Sequence, residues 1–178
     1  MYKEILNGRN RIDVVVTSSK VSLNSIFDHF KDGCLYFNDE YQRDYCWTEE
    51  QQQLLLDSLL YTGIPLPSIS VALNNNSDPS MYFEVVDGRQ RVTTLILFFT
   101  NEIPYRLGDK EIFFSDLSRS TQRTVLMGTI TQSELTTRTK IDVSLKQKIE
   151  YFHRVNFAGS LQSSDHKHMI EQKLKTLT

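Results

Sequence analysis

The sequence predicts an α+β protein in which a small mixed sheet is flanked by helices. Residues 48–63 (TEEQQQLLLDSLLYTG) carry both the start and the stop signals of a helix. Residues 68–73 and 81–86 read as two strands about one polar turn, and the apolar run after Gly88 has the length of a buried helix. Helix and strand signals therefore alternate along the chain. With 178 residues, 39% of them hydrophobic, there is material for one core. A single domain over 1–178 is expected, its core over about 23–162 and a last helix at 164–177.

Taken in order, residues 23–31 (LNSIFDHFK) space Leu23, Ile26, Phe27 and Phe30 at helical intervals behind Ser22, a suitable N-cap. A short strand over Leu35–Phe37 follows. Thr48 with Gln51 three residues later has the form of a capping box, and Gly63 with prolines at 65 and 67 ends that helix. SISVAL (68–73) and MYFEVV (81–86) are joined by NNNSDPS, whose Asn, Ser, Asp and Pro favour a turn, so a hairpin is expected. VTTLILFFTNEI is rich in β-branched residues and by propensity alone would suit a strand; its length and the preceding glycine favour a buried helix. Farther on, GDK (108–110) forms a turn before EIFF, SDLSRSTQRTVLM contains a helix, and TITQSEL (129–135) adds a strand. Asp142 is the expected cap of a helix with Leu145, Ile149, Phe152 and Val155 on one face, ending near Gly159. Met169, Ile170, Leu174 and Leu177 share a face of the last helix.

Composition excludes several classes. No run of about 18 apolar residues occurs and MYKEILNGRN has no apolar stretch behind its charges, so neither a membrane span nor a signal peptide is predicted, and an intracellular, cytoplasmic location is expected. Cys34 and Cys46 form no CxxC pair and imply no disulfide framework. A net charge of -2 and a pI near 6.1 argue against bulk electrostatic coating of nucleic acid; contact with phosphate must be local. His29 and His153 stand alone, and His166 and His168 are two apart on a helix, so no zinc-type spacing arises. Walker loops, GxSxG and HExxH are absent.

Two stretches carry the chemistry. In EVVDGRQRVTTL, Asp87, Gly88, Arg89, Gln90 and Arg91 link a strand to a helix, where free first-turn N–H groups favour an anion. Gly88 allows a tight bend, the arginines present forks that match phosphate oxygens, and Gln90 offers a donor and an acceptor. Asp87 has two candidate roles: holding an arginine, or binding a divalent ion shared with phosphate. In YQRDYCWTEEQ, Gln42 and Arg43 precede the capped helix, and Tyr41, Tyr45 and Trp47 are candidates to stack a base. The same residues also fit a plainer account, with Asp87 as a cap, Tyr45 and Trp47 in the core and the arginines solvated or ion-paired.

YQRDYCWTEEQQQLLLDSLLYTGIPLPSI, VVDGRQRVTTL and FHRVNFAGSLQ (152–162) together resemble the DGQQR-motif domain of GmrSD-type modification-dependent restriction systems. The three blocks span residues 41–162 in the family's order. The resemblance implies a ParB/sulfiredoxin-like, nuclease-type domain that binds and hydrolyses a nucleoside triphosphate, with Mg2+ or another divalent cation, in support of DNA cleavage. Carried over residue by residue, the resemblance implies Asp87, Gly88, Gln90, Arg91, Gln42, Arg43, Arg154 and Asn156 as site residues. With the reading of the residues themselves, Asp87, Gln90 and Arg91 are the candidate catalytic groups, Gln42, Arg43, Gly88, Arg89, Arg154 and Asn156 the candidate nucleotide and phosphate ligands, and Asp87 the candidate metal ligand. Arg89 departs from the commoner glutamine, keeping donors and losing an acceptor. Many members have a separate HNH-type nuclease half, which this sequence lacks, so the expected partners are nucleotide, DNA and a separate nuclease subunit. Three functions compete: an NTP hydrolase in restriction, anti-restriction or DNA processing; a non-catalytic module using the same groove for DNA or a partner; and a purely structural ion-pair network.

Overall fold

The computed structural model describes residues 14–75, 78–139, 142–157 and 164–177, the side chains of 164–167 excepted. The chain divides into two compact units: Val16–Leu135, and Met1–Val15 with Thr136–Thr178. Seven strands run in chain order as β1 Val15–Ser22, β2 Leu35–Tyr36, β3 Ile69–Leu73, β4 Phe83–Asp87, β5 Tyr105–Leu107, β6 Lys110–Ile112 and β7 Thr129–Thr136. The helices are α1 Leu23–Lys31, α2 Glu49–Asp57, α3 Arg89–Phe99, α4 Arg119–Met127, α5 Leu145–Phe157 and α6 Ser164–Thr176. The expected α+β class holds.

The main sheet has the order β1-β7-β3-β4-β2, and β5-β6 form a separate two-stranded ribbon. The β3–β4 pair is antiparallel, as the polar turn predicts, with Val71 opposite Val85 and Leu73 opposite Phe83. Parallel pairings of β2 with β4 and β3 with β7 make the sheet mixed. Register shifts between Ser70 and Val71, and this bulge falls beside Val86 at the β4 terminus.

Helix α2 begins as read from sequence: Thr48 and Gln51 exchange the two bonds of a capping box. It does not continue as α-helix to Gly63, because Ser58–Thr62 form a π-turn, which Gly63 closes in a left-handed conformation (φ 66°). Ser22 caps α1 by accepting from the Ser25 N–H. Helix α5 is capped by Ser144, not Asp142: the Gln147 N–H donates to Ser144 Oγ, and Gln147 Oε1 accepts from the Ser144 N–H. A cap must stand directly before the first helical residue, here Leu145, and Asp142 is too far back. The expected end near Gly159, the 158–162 part of the third block, and residues 76–77 of the turn lie outside the described residues. In α6, Ile170 is buried while Met169 is exposed, and Leu177, one residue past the helix, is exposed too, so the expected apolar face is only partly inward.

Strand β1 was not expected. Its first six residues are all exposed, so no alternation marks VVTSSKVS as a half-buried strand. The core of the Val16–Leu135 unit explains why α3 can tolerate β-branched residues. Val92, Leu95, Ile96, Phe98 and Phe99 are buried with Ile69, Val71, Phe83 and Val85 of the sheet and Leu55 and Leu56 of α2. Each such side chain contributes about 1.5–3 kcal/mol of burial, enough to override a propensity difference of a few tenths of a kcal/mol. Phe99 meets Phe27 edge-on at 5.3 Å, and Phe98 meets Phe114 at 5.6 Å.

Candidate functional site: the bend at Gly88

Strand β4 passes into α3 at Gly88, whose φ of 104° only glycine adopts without strain. A Cβ there would lie 2.7 Å from Ile69 Cγ2, so the helix end sits directly on β3. Arg89, Gln90 and Arg91, expected in a link, are the first three residues of α3. The reason is that one left-handed residue completes the reversal, and nothing more of the chain is needed for it.

Around this bend the two sequence motifs lock together. Gln42 is buried and its Nε2 donates to Val85 O and Val86 O, both at 2.8 Å. Strand β2 ends at Tyr36, so these carbonyls lie past its last pairing with β4, and a side-chain amide continues where backbone stops. Gln90 works in the opposite direction, from helix to loop. Its Oε1 accepts from the N–H groups of Cys46 (2.8 Å) and Trp47 (3.2 Å), and its Nε2 donates to Asp44 O (2.9 Å). Both polar atoms of Gln90 are thus engaged in shaping residues 44–47.

The arginines are not open. Arg91 Nη2 lies 2.8 Å from Asp87 Oδ2, both groups mostly buried. Arg89 reaches Asp39 at 2.5 Å and Asp44 at 3.4 Å, with its guanidinium 5.4 Å from the centre of the Phe37 ring. The side chain of Arg89 is 16% exposed, whereas Asp39 and Asp44 are 76% and 91% exposed. Of Asp87's two candidate roles, holding an arginine is the one seen. Arg43 is exposed and has no ion pair among the described residues.

The stacking residues need correction. Tyr41 is fully buried and donates its hydroxyl to Glu84 at 2.8 Å, so it has no face for a base. Burial, then the adjacent Glu84 carboxylate, raises the Tyr41 pKa well above its ordinary value of 10.0. Trp47 packs on the core, and Tyr45 lies 3.0 Å from Thr94 Oγ1, whose own proton goes to Gln90 O. Sequence reading also passed over Glu84 itself, which is 2% exposed and receives Asn74 Nδ2 at 2.9 Å as well as Tyr41. The available signal was a lone carboxylate in MYFEVV, a strand otherwise apolar on both faces.

Arg154 and Asn156 belong to the other unit. Arg154 is exposed on α5, and Asn156 donates back to Phe152 O of its own helix at 3.0 Å. Cys34 and Cys46 are free. Among the described residues no group of three or more His, Cys, Asp or Glu side chains comes together to hold a metal, and no helix is long and apolar enough to cross a membrane.

With this geometry in hand, comparison with family models matches residues 23–176 to the GmrSD restriction endonuclease, N-terminal domain. The chain belongs to that family. Comparison with curated proteins and with solved structures gave no match. The family points to a role in a restriction system and hence to DNA as the molecule ultimately addressed. Within the family match, the Gly88 bend and the 39–47 loop form one continuous hydrogen-bonded and ion-paired assembly.

Proposed function

We propose that this chain is the nucleotide-responsive part of an intracellular DNA restriction system, built on a ParB/sulfiredoxin-like scaffold. It receives the phosphates of a nucleoside triphosphate at the Gly88 bend. The observation that carries the proposal is the asymmetry of the Arg89 ion pairs. The guanidinium is shielded and fixed over Phe37, while its two carboxylate partners are nearly bare to solvent. Exposed ion pairs contribute only about 0–1 kcal/mol. A polyanionic ligand can therefore replace Asp39 and Asp44 at small cost and find Arg89 already aimed, with unpaired Arg43 close by in the chain and the α3 N-terminus behind it. The donor set does not fit a resident metal, since Asp87 Oδ2 is taken by Arg91 and, among the described residues, no ligand cluster of three or more His, Cys, Asp or Glu forms. A divalent ion would arrive with the phosphates it coordinates.

The second reading is a module that binds without turnover and leaves cutting to a separate nuclease subunit. Gln90 favours it, because hydrolysis assisted by this amide would require breaking three bonds that hold the 44–47 loop. Calorimetric titration with each of the four common nucleoside triphosphates in the presence of Mg2+ tests binding. We expect affinity for at least one, reduced about tenfold or more by Arg89→Ala. Lack of binding by all four in folded protein removes the proposal. Phosphate release, measured with and without DNA for wild type and Asp87→Ala, then separates hydrolase from module.

A further inference from the structure

We infer that a second surface, the cleft between α2 and the β5–β6 ribbon, is a docking site for a basic amphipathic segment of a protein partner. The cleft encloses about 600 Å3 and lies wholly within the Val16–Leu135 unit. Its floor is cross-linked: Gln53 Nε2 donates to Pro104 O, and its Oε1 accepts from the Arg106 N–H, so the helix side chain pairs with backbone at the ribbon. Tyr105 donates its hydroxyl to Asp57 at 2.9 Å across the same gap.

Charge and apolarity together select the occupant. Three carboxylates line the cleft, from Glu49, Glu50 and Asp57, against one cation, Arg106. Arg106 pairs with Glu49 and, at 2.9 Å, with Glu111, which leaves Glu50 and Asp57 as the lining carboxylates that it does not offset. Glu50 hydrogen-bonds to the Thr48 hydroxyl, which lowers the pKa of its carboxyl. The field of the cleft is negative, which repels a nucleic-acid backbone and attracts lysine or arginine. Among these acids Leu54 lines the cleft and is 69% exposed. A large apolar side chain left bare between carboxylates matches a peptide that alternates cationic and apolar residues. The inference is independent of the nucleotide reading, since no residue of the Gly88 bend takes part.

Fluorescence anisotropy with a short fluorescein-labelled lysine–leucine amphipathic peptide tests it on the full chain. Binding is expected, weakened about tenfold by Leu54→Ser, which removes the apolar contact without adding charge, and by Glu50→Lys, and unchanged by Met127→Ser, an exposed apolar position outside the cleft. Circular dichroism melts of the variants show whether each is folded. The proposal is overturned if the peptide does not bind, if a glutamate–leucine peptide of the same pattern binds as well, or if folded Leu54→Ser binds like wild type. It is equally overturned if sedimentation shows a dimer that Leu54→Ser dissolves, because the cleft then belongs to a second copy. Competition by duplex DNA at this cleft, lost with Leu54→Ser, would reassign it to nucleic acid.

Discussion

Two polar clusters stand on β4, one at Glu84 and one at Asp87, and they use similar parts in different surroundings. At Glu84 a carboxylate, a phenol and an amide are sealed from water, and every contact is with Tyr41, Asn74 or other protein groups. At the Gly88 bend a carboxylate, two guanidiniums and an amide sit at the rim, and two of the three carboxylates that pair with the arginines, Asp39 and Asp44, are bare. Burial decides what each can do. A sealed network resists any exchange of partner, since an abandoned buried group costs about 1–3 kcal/mol, whereas a rim network can trade one anion for another almost freely. The first holds the fold, and the second is available to a ligand.

The largest effect is expected from Gly88→Ala, which acts at the bend that carries the rim cluster. The added Cβ would press on Ile69 and take up a left-handed backbone, and we expect a loss of about 3 kcal/mol, read as a lower urea midpoint with nucleotide binding lost along with the fold. Next comes Tyr41→Phe, which leaves Glu84 short of a buried donor. Stability should fall by about 1–2 kcal/mol while nucleotide affinity stays unchanged, and a change of affinity without a change of stability would erase the distinction between the clusters.

Joint replacement Asp39→Asn with Asp44→Asn should do the reverse. Stability is expected to move by less than about 1 kcal/mol, while triphosphate affinity rises because the anions competing for Arg89 are gone. Weaker binding in calorimetry would show that these carboxylates serve the ligand instead. The smallest effect concerns His29, which stacks on Phe83 at 4.2 Å. Burial lowers its pKa from 6.5, outweighing the opposing charges of Asp32 and Asp28. As pH falls through 6.5 the unfolded chain gains a proton that the folded His29 refuses, so this contribution to stability is complete above 6.5 and shrinks below it. His29→Phe should remove that slice of the acid dependence in urea midpoints compared at pH 7.0 and at lower pH.

Local signals explain what could be read in advance. Thr48 and Gln51, the turn between β3 and β4, and Gly88 all act within a few residues, so their outcomes were legible. Helix α3 was legible from length despite its threonines, valine and isoleucine, because a run that apolar must be buried on most sides. Strand β1 was hidden by uniform exposure, and the π-turn at 58–62 has no residue pattern of its own. At the bend, the residue types were plain and their partners were not. Arg89 finds Asp39 and Asp44 across 50 and 45 positions, and an arginine beside a glycine reads the same whether its fork is vacant or filled. Gln42 and Gln90 read as ligands of a guest molecule, and both also bond to the chain's own backbone, which residue type alone does not show. Arg154 and Asn156 entered only through family likeness, and they stand in the other compact unit.

The brevity of β2 has a further consequence. A sheet that ends in two residues leaves dangling carbonyls on its neighbour, and such rows recruit strands from other molecules into aggregates. By capping Val85 and Val86, the amide of Gln42 works as a stopper against that self-assembly.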